Sequence, residues 1–326
     1  MTPGRARLVQ HCCQGAILSF RPVITPHLLQ QQRPQQGQRA ASSAASTSTS
    51  SHHLAGQLRE FKDRLRPLGL GKVDLELDDE NGLATLVLDN HARRNALSGR
   101  MMVQLSDAVD TLESWDRGVA VTLQGAGGSF CAGADLSLAR EHLVTSADGR
   151  LMSVLMTNTL ERLRRLPLIS VAVIDGAAIG GGAELSTCCD FRVAGPESTM
   201  RFVQVKMGVS TGWGGGARLT GIVGRRAALR LLAWSVPVTA TEGLSLGLLD
   251  AVAADEGGAR AEGLNFLAGV LQRDAYGAVR AVKSVVAAAD TVSTDVQRAE
   301  EEKFSALWGG THNRTALESS RRAPKY

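Results

Sequence analysis

Two short stretches hold the residues best suited to chemistry: Phe130-Cys131-Ala132-Gly133-Ala134-Asp135 and Gly176-Ala177-Ala178-Ile179-Gly180-Gly181-Gly182-Ala183-Glu184-Leu185. Each follows an apolar, β-branched run, Val119 to Leu123 before the first and Ile169 to Ile174 before the second. Each then leads into helical periodicity. A strand that stops at small residues before a helix leaves main-chain N–H groups unpaired at the turn, where the helix dipole is positive. Two such turns side by side would present two donors to one oxygen, a trap for the negative oxygen of an enolate. Glu184 falls about one turn into the second helix, a place where an acid also complements the helix start.

The surrounding pattern must hold these turns in place. From Gln57 a short amphipathic helix leads to Pro67 and Gly69. Val73 to Leu77 and Leu83 to Leu88 flank Asn81-Gly82, a strong hairpin signal. Gly99 to Trp115 reads as a helix with Met102, Leu105, Val109 and Leu112 on one face. Arg150 to Leu166 is another, stopped by Pro167, and the helix after the second glycine turn runs through Cys189. Beyond Phe191 short strands alternate with glycine turns as far as Gly212-Trp213-Gly214-Gly215-Gly216, and from about Gly257 only helical periodicity remains. Strand–strand–helix units followed by helices predict an α/β core (residues 57–255) with a helical lid (residues 256–326).

Residues 1–56 differ from the rest. Up to residue 59 the chain holds six arginines and no lysine or acid, with a glutamine-rich stretch and an Ala/Ser/Thr stretch. Such a segment cannot bury enough apolar surface to fold, and its composition suits a mitochondrial transit peptide. Of the net charge of +4, this arm supplies +6, so residues 60–326 carry −2. A mildly acidic body with 4% aromatic residues gives no basis for a nucleic-acid partner. No apolar run approaches the roughly 18 residues of a membrane span. Five cysteines, with Cys12-Cys13 and Cys188-Cys189 as neighbours, suit reduced thiols rather than a disulfide framework. His91, His142 and His312 lack partners at metal or triad spacing, so no metal is expected. Gly180-Gly181-Gly182 is not a dinucleotide fingerprint, and no nucleotide P-loop motif occurs.

FCAGAD at 130–135 and GGGAEL at 180–185, at this separation, resemble the two stretches that form the oxyanion hole of the crotonase superfamily, the enoyl-CoA hydratase/isomerase family. The likeness runs from about Val73 to the C-terminus. The resemblance implies a spiral of ββα units closed by C-terminal helices, trimers or dimers of trimers, an acyl-CoA substrate and no cofactor. By the same resemblance, the amides of Ala132 and Gly181 would hold the thioester oxygen and Glu184 would act as acid or base. Ala96 and Leu97, within Arg93-Arg94-Asn95-Ala96-Leu97-Ser98, would line the CoA path with Ala134 and Asp135. Lys283, in a C-terminal helix, stands as a lone surface lysine or reaches a CoA phosphate. NALSGRMM at 95–102, LPLISV at 166–171, FRVAGPESTMRF at 191–202 and LWGG at 307–310 resemble more particularly the branch that decarboxylates ethylmalonyl-CoA and, more slowly, methylmalonyl-CoA. That implies a metabolite-repair role in the cytosol, against the mitochondrial reading of the arm. One position departs from the pattern: Lys206 stands where a second glutamate is usual. A lysine there argues against hydration, which uses two carboxylates to hold water. It would pair with Glu184, hold a substrate carboxylate, or turn outward to solvent. The alternatives remain a hydratase or isomerase, or a non-catalytic protein of this fold.

Overall fold

The computed structural model of the protein describes residues 53–255, 257–271, 276–289 and 294–322. The basic arm and Cys12-Cys13 therefore lie outside the described residues, apart from the arm's last four positions, which are already helical in α1 (53–65). The Asn81-Gly82 signal holds: β1 (Lys72–Asp78) pairs antiparallel with β2 (Leu83–Asp89). Helix α2 (Gly99–Ser114) is started by the Ser98 hydroxyl, which accepts from the Met101 amide, and buries Met102, Leu105, Val109 and Leu112.

Strand β3 (Ala120–Gly125) then pairs parallel with β2, and β4 (Ile169–Ile174) with β3. Between them lie α3 (Leu136–Glu141) and α4 (Ser146–Arg165). Helix α4 begins earlier than its apolar period shows, because Thr145 and Asp148 form a reciprocal capping box. After β4 the chain turns at Gly176 into β5 (Ala177–Ile179), then α5 (Gly181–Ser186), β6 (Phe191–Ala194) and β7 (Thr199–Arg201). Helix α5 is shorter than expected and ends before Cys188-Cys189.

Helix α6 (Gly215–Ala233) begins at the end of the Gly212–Gly216 glycine stretch and runs through residues for which the sequence pattern predicts no element. Its periodicity is cut at Gly224, where φ is 75° and the helix kinks. Strand β8 (Val238–Thr239), α7 (Ala240–Ser245) and β9 (Ala251–Val252) follow. The remainder is α8 (Ala259–Leu271), α9 (Tyr276–Ala289), α10 (Thr294–Leu307) and α11 (Thr311–Arg322).

The strands make two sheets, one of order β1-β2-β3-β4-β6-β9 and one of order β5-β7-β8. In the units β4–β5 and β6–β7 the first strand joins the large sheet and the second the small one, so the chain winds as a spiral. Valines, leucines and alanines of β2 to β6 pack against α2 and α4 to form the main core. No helix among the described residues is long and apolar enough to cross a membrane.

Candidate active site

The two turns are stitched together by main chain. Cys131 bridges Ala178: its N–H donates to the Ala177 carbonyl at 3.1 Å, and its own carbonyl accepts from the Ile179 N–H at 2.9 Å. Gly133 (φ 89°) fits this contact because a Cβ there would lie 2.9 Å from the Gly181 nitrogen. The Gly181 N–H, at the first position of α5, has no intrahelical acceptor and makes no other hydrogen bond among the described residues. Ala132 differs from expectation. Its N–H is not free but donates to the Arg94 carbonyl at 2.9 Å. Arg94 and Asn95 both adopt positive φ (50° and 55°), which turns that carbonyl toward the first glycine turn.

Glu184 is 2% exposed and lines the hollow below these turns. Its Oε2 accepts from the amides of Trp213 (2.9 Å) and Gly215 (3.0 Å). Its Oε1 accepts from Gln204 Nε2 (2.6 Å) and, at longer range, from the Gly212 amide (3.4 Å). The loop into α6 thus wraps the carboxyl. Arg218, buried beneath, ties that loop to α5 through the carbonyls of Trp213 (2.8 Å) and Glu184 (3.1 Å). Burial pushes the Glu184 carboxyl up to about 7, and the Glu300 carboxylate adds to the rise; the Trp213 amide, Gln204 and Arg218 oppose it.

Lys206 does not take part. Gln204–Met207 form a 3-10 turn in which residues three apart share a side. Gln204 and Met207 line the hollow, whereas Val205 and Lys206 are exposed. Neither a Lys206–Glu184 pair nor a lysine facing substrate is present. Gln204 was not among the expected site residues; counting by threes rather than by the family's usual glutamate position is the signal that finds it.

The other expected residues are placed as follows. Ala134 lines the hollow and bridges Leu97. Leu97 uses both main-chain groups in that bridge, donating to Gly133 at 2.7 Å and accepting from Asp135 at 2.9 Å. Ala96 is buried with its carbonyl held by Asn90 Nδ2 at 2.8 Å. Asp135 is neither an exposed loop acid nor open to a ligand. Its carboxylate caps α3 through the Ser137 amide at 2.8 Å and pairs with Arg93 at 3.1 Å. Lys283 is buried and paired with Asp190, away from the hollow, so it cannot serve a CoA phosphate there.

Asn95 is the pin of the 91–97 loop. Its Nδ2 donates to the carbonyls of Ser129 (2.6 Å) and Ala126 (2.8 Å), and its Oδ1 accepts from the Asn90 amide (2.9 Å). Asn95→Ala is expected to lower unfolding free energy by about 3 kcal/mol, because three buried main-chain groups lose their partners. Urea unfolding measures this, and a change under about 1 kcal/mol would refute the assignment.

A roof closes the hollow. Phe304 of α10 and Trp308 just after it pack with ring centroids 5.1 Å apart, and Leu317 of α11 and Met152 of α4 complete the apolar wall. The space is about 100 Å³, and among the described residues Glu184 is the only carboxylate that lines it.

The enoyl-CoA hydratase/isomerase family pattern matches residues 78–323. The ethylmalonyl-CoA decarboxylase of Danio rerio is 42% identical over 270 residues, covering 81% of this chain and 89% of that protein. The Homo sapiens protein of the same name is 38% identical over 261 residues, covering 79% and 84%. An enoyl-CoA hydratase structure from Mycobacterium avium subsp. paratuberculosis K-10 superposes with a TM-score of 0.68 at 23% identity, covering 76% of this chain and 97% of that one. The spiral of ββα units with its closing helices is the crotonase fold, and this chain belongs to the enoyl-CoA hydratase/isomerase family.

Proposed function

We propose that the protein is an ethylmalonyl-CoA decarboxylase, a carboxy-lyase that releases CO₂ from ethylmalonyl-CoA and more slowly from methylmalonyl-CoA. The observation that carries this reading is a hollow in which an unpaired main-chain donor, Gly181, lies beside a single buried carboxyl, Glu184, raised to about 7. Relatives named for the same activity at about 40% identity support it.

The chemistry follows from charge. As the carbon–carbon bond breaks, its electron pair passes into the thioester, and the carbonyl oxygen becomes an enolate oxygen. The Gly181 N–H meets that charge, and one such donor is typically worth about 3–4 kcal/mol of barrier. Ala132 joins as the second donor once the thioester oxygen takes the place of the Arg94 carbonyl. Protonated Glu184 then delivers its proton to the α-carbon, giving the saturated acyl-CoA, and is reloaded from solvent. One proton is consumed per CO₂ released. Main-chain donors and one carboxyl suffice for these steps, and no metal or organic cofactor enters them. Hydration would need a second carboxylate to hold water, and among the described residues no other lines the hollow.

Purified protein is expected to release CO₂ from ethylmalonyl-CoA and to leave crotonyl-CoA unhydrated; the reverse result would make it a hydratase. The acid must be protonated in the free enzyme, so kcat/KM is expected to fall as pH rises through about 7. A flat profile from pH 6 to 8.5 would remove Glu184 as the acid. The biological reading is metabolite repair in the cytosol by a homotrimer or dimer of trimers. Imaging of a full-length fusion and mass measurement in solution test location and assembly, with mitochondrial staining favouring the transit-peptide reading of the arm.

A further inference from the structure

One side-chain polar atom of the hollow has no partner. Gln204 is 9% exposed; its Nε2 donates to Glu184 Oε1 at 2.6 Å, while its Oε1 is buried with no hydrogen bond. A buried acceptor left unpaired is costly, and native structures hold few. The neighbouring polar side chains in the same hollow are satisfied. Asn313 donates to the Met207 carbonyl at 2.8 Å and accepts from the Gly309 amide at 2.9 Å, and Trp308 Nε1 donates to the Leu143 carbonyl at 2.7 Å. The defect is therefore confined to the one side chain that touches the reacting carboxyl.

A carboxamide has its donor and acceptor on opposite arms, and half a turn about its last torsion exchanges them within the same space. In the orientation present, Nε2 donates to Glu184 Oε1, the contact that suits an ionised carboxylate, and Oε1 is left buried without a partner. With Glu184 protonated on Oε1, the exchanged amide accepts the Glu184 O–H through its own Oε1. It then points two N–H donors into the hollow. The orphaned acceptor is satisfied, and the hollow acquires a binding group for an anion.

We propose that Gln204 binds the carboxylate of the malonyl-type thioester through Nε2, in the orientation whose Oε1 accepts from protonated Glu184. This rests on the decarboxylase reading of the hollow. Substrate binding and loading of the acid then become one event, because the carboxylate selects the amide orientation that an ionised Glu184 cannot accept. The remaining groups around Glu184 do not compensate. The Gly212, Trp213 and Gly215 amides only donate, Arg218 of α6 reaches carbonyls, and the Glu300 carboxylate of α10 is held by the Gly216 (3.2 Å) and Ala217 (3.3 Å) amides. In turnover the carbon–carbon bond breaks, its electrons enter the enolate, and neutral CO₂ gives Nε2 nothing to hold. The Glu184 O–H bond then breaks as the α-carbon C–H bond forms, and ionised Glu184 recaptures Nε2.

Calorimetric titration of the full chain with two ligands tests this without turnover. One is butyryl-CoA, which lacks a carboxylate. The other is the sulfonate analogue of ethylmalonyl-CoA, which cannot lose CO₂. At pH 7.5, in buffers of different ionisation enthalpy, the sulfonate is expected to bind wild-type protein with net proton uptake and butyryl-CoA with none. Gln204→Met is expected to bind butyryl-CoA within about threefold of wild type. It should lose about tenfold to a hundredfold in affinity for the sulfonate, together with the proton uptake. Should the methionine variant bind neither ligand, Gln204→Asn, which keeps the amide but cannot span the same gap, is expected to show the same loss. Equal sulfonate affinity in wild type and a variant that binds butyryl-CoA, or no proton uptake in wild type, would overturn the proposal. Failure of wild-type protein to release CO₂ from ethylmalonyl-CoA would instead sink the decarboxylase reading, and the titrations separate the two failures.

Discussion

Glu184→Gln is expected to leave the fold intact and to remove about 10²–10⁴-fold of CO₂ release, the usual contribution of a positioned acid. The cage around the side chain allows the exchange. The new carboxamide keeps its oxygen for the Trp213 and Gly215 amides and turns its NH₂ toward Gln204, whose amide exchanges its two arms so that the unpartnered Oε1 replaces Nε2 in that contact and accepts it. Only the long Gly212 contact at 3.4 Å is lost. Loss of the acid is thus separated from loss of structure. A melting temperature within a few degrees of wild type, with turnover nearly gone, is the expected pair of results. Turnover at the wild-type rate would exclude Glu184 from the reaction.

Gly182→Ala is expected to damage both the fold and the site. A Cβ at 182 would lie 2.0 Å from the Cys131 carbonyl oxygen and 2.7 Å from its carbon. Neither atom belongs to a flexible tip; that oxygen accepts the Ile179 N–H bond that joins the two turns. The methyl group must push the turns apart, at about 3–5 kcal/mol, in the range reserved for severe core defects. Protein that survives is expected to lose about 10²–10³-fold in turnover, since the Gly181 donor moves with the turn. Gly277→Ala on α9, where a Cβ meets nothing within 4 Å, is the matched control and is expected to be neutral or slightly stabilising. Equal solubility and activity of the two variants would mean that the contact of the turns is not what forms the site.

The parts that the sequence discloses share one trait: their signals are local. Asn81-Gly82 dictates a hairpin whatever lies around it, and the apolar face of α2 shows in its period alone. Helix α6 escapes notice because its first residues are glycines and its period is broken at Gly224. The two oxyanion turns are visible as strand-to-helix junctions, yet the Arg94 carbonyl that occupies the Ala132 amide comes from a loop held by a long-range pin, Asn95. Nothing in the spacing of 130–135 encodes that. Of the three placements left open for Lys206, the structure takes the outward one, because the 3-10 turn aims Gln204 and Met207 inward and sends its two middle residues to solvent.

The bond between Ala132 and Arg94 has a bearing on selectivity. With one of its amides engaged, the resting centre offers a small free anion such as bicarbonate a single donor, too little to displace hydration water for long. A thioester anchored along its whole length can compete for the engaged amide, because the long CoA chain supplies the residence time that the exchange requires. On the proposed function, the donor pair is completed only by the arrival of the thioester, and the resting site gives bicarbonate no two-donor seat.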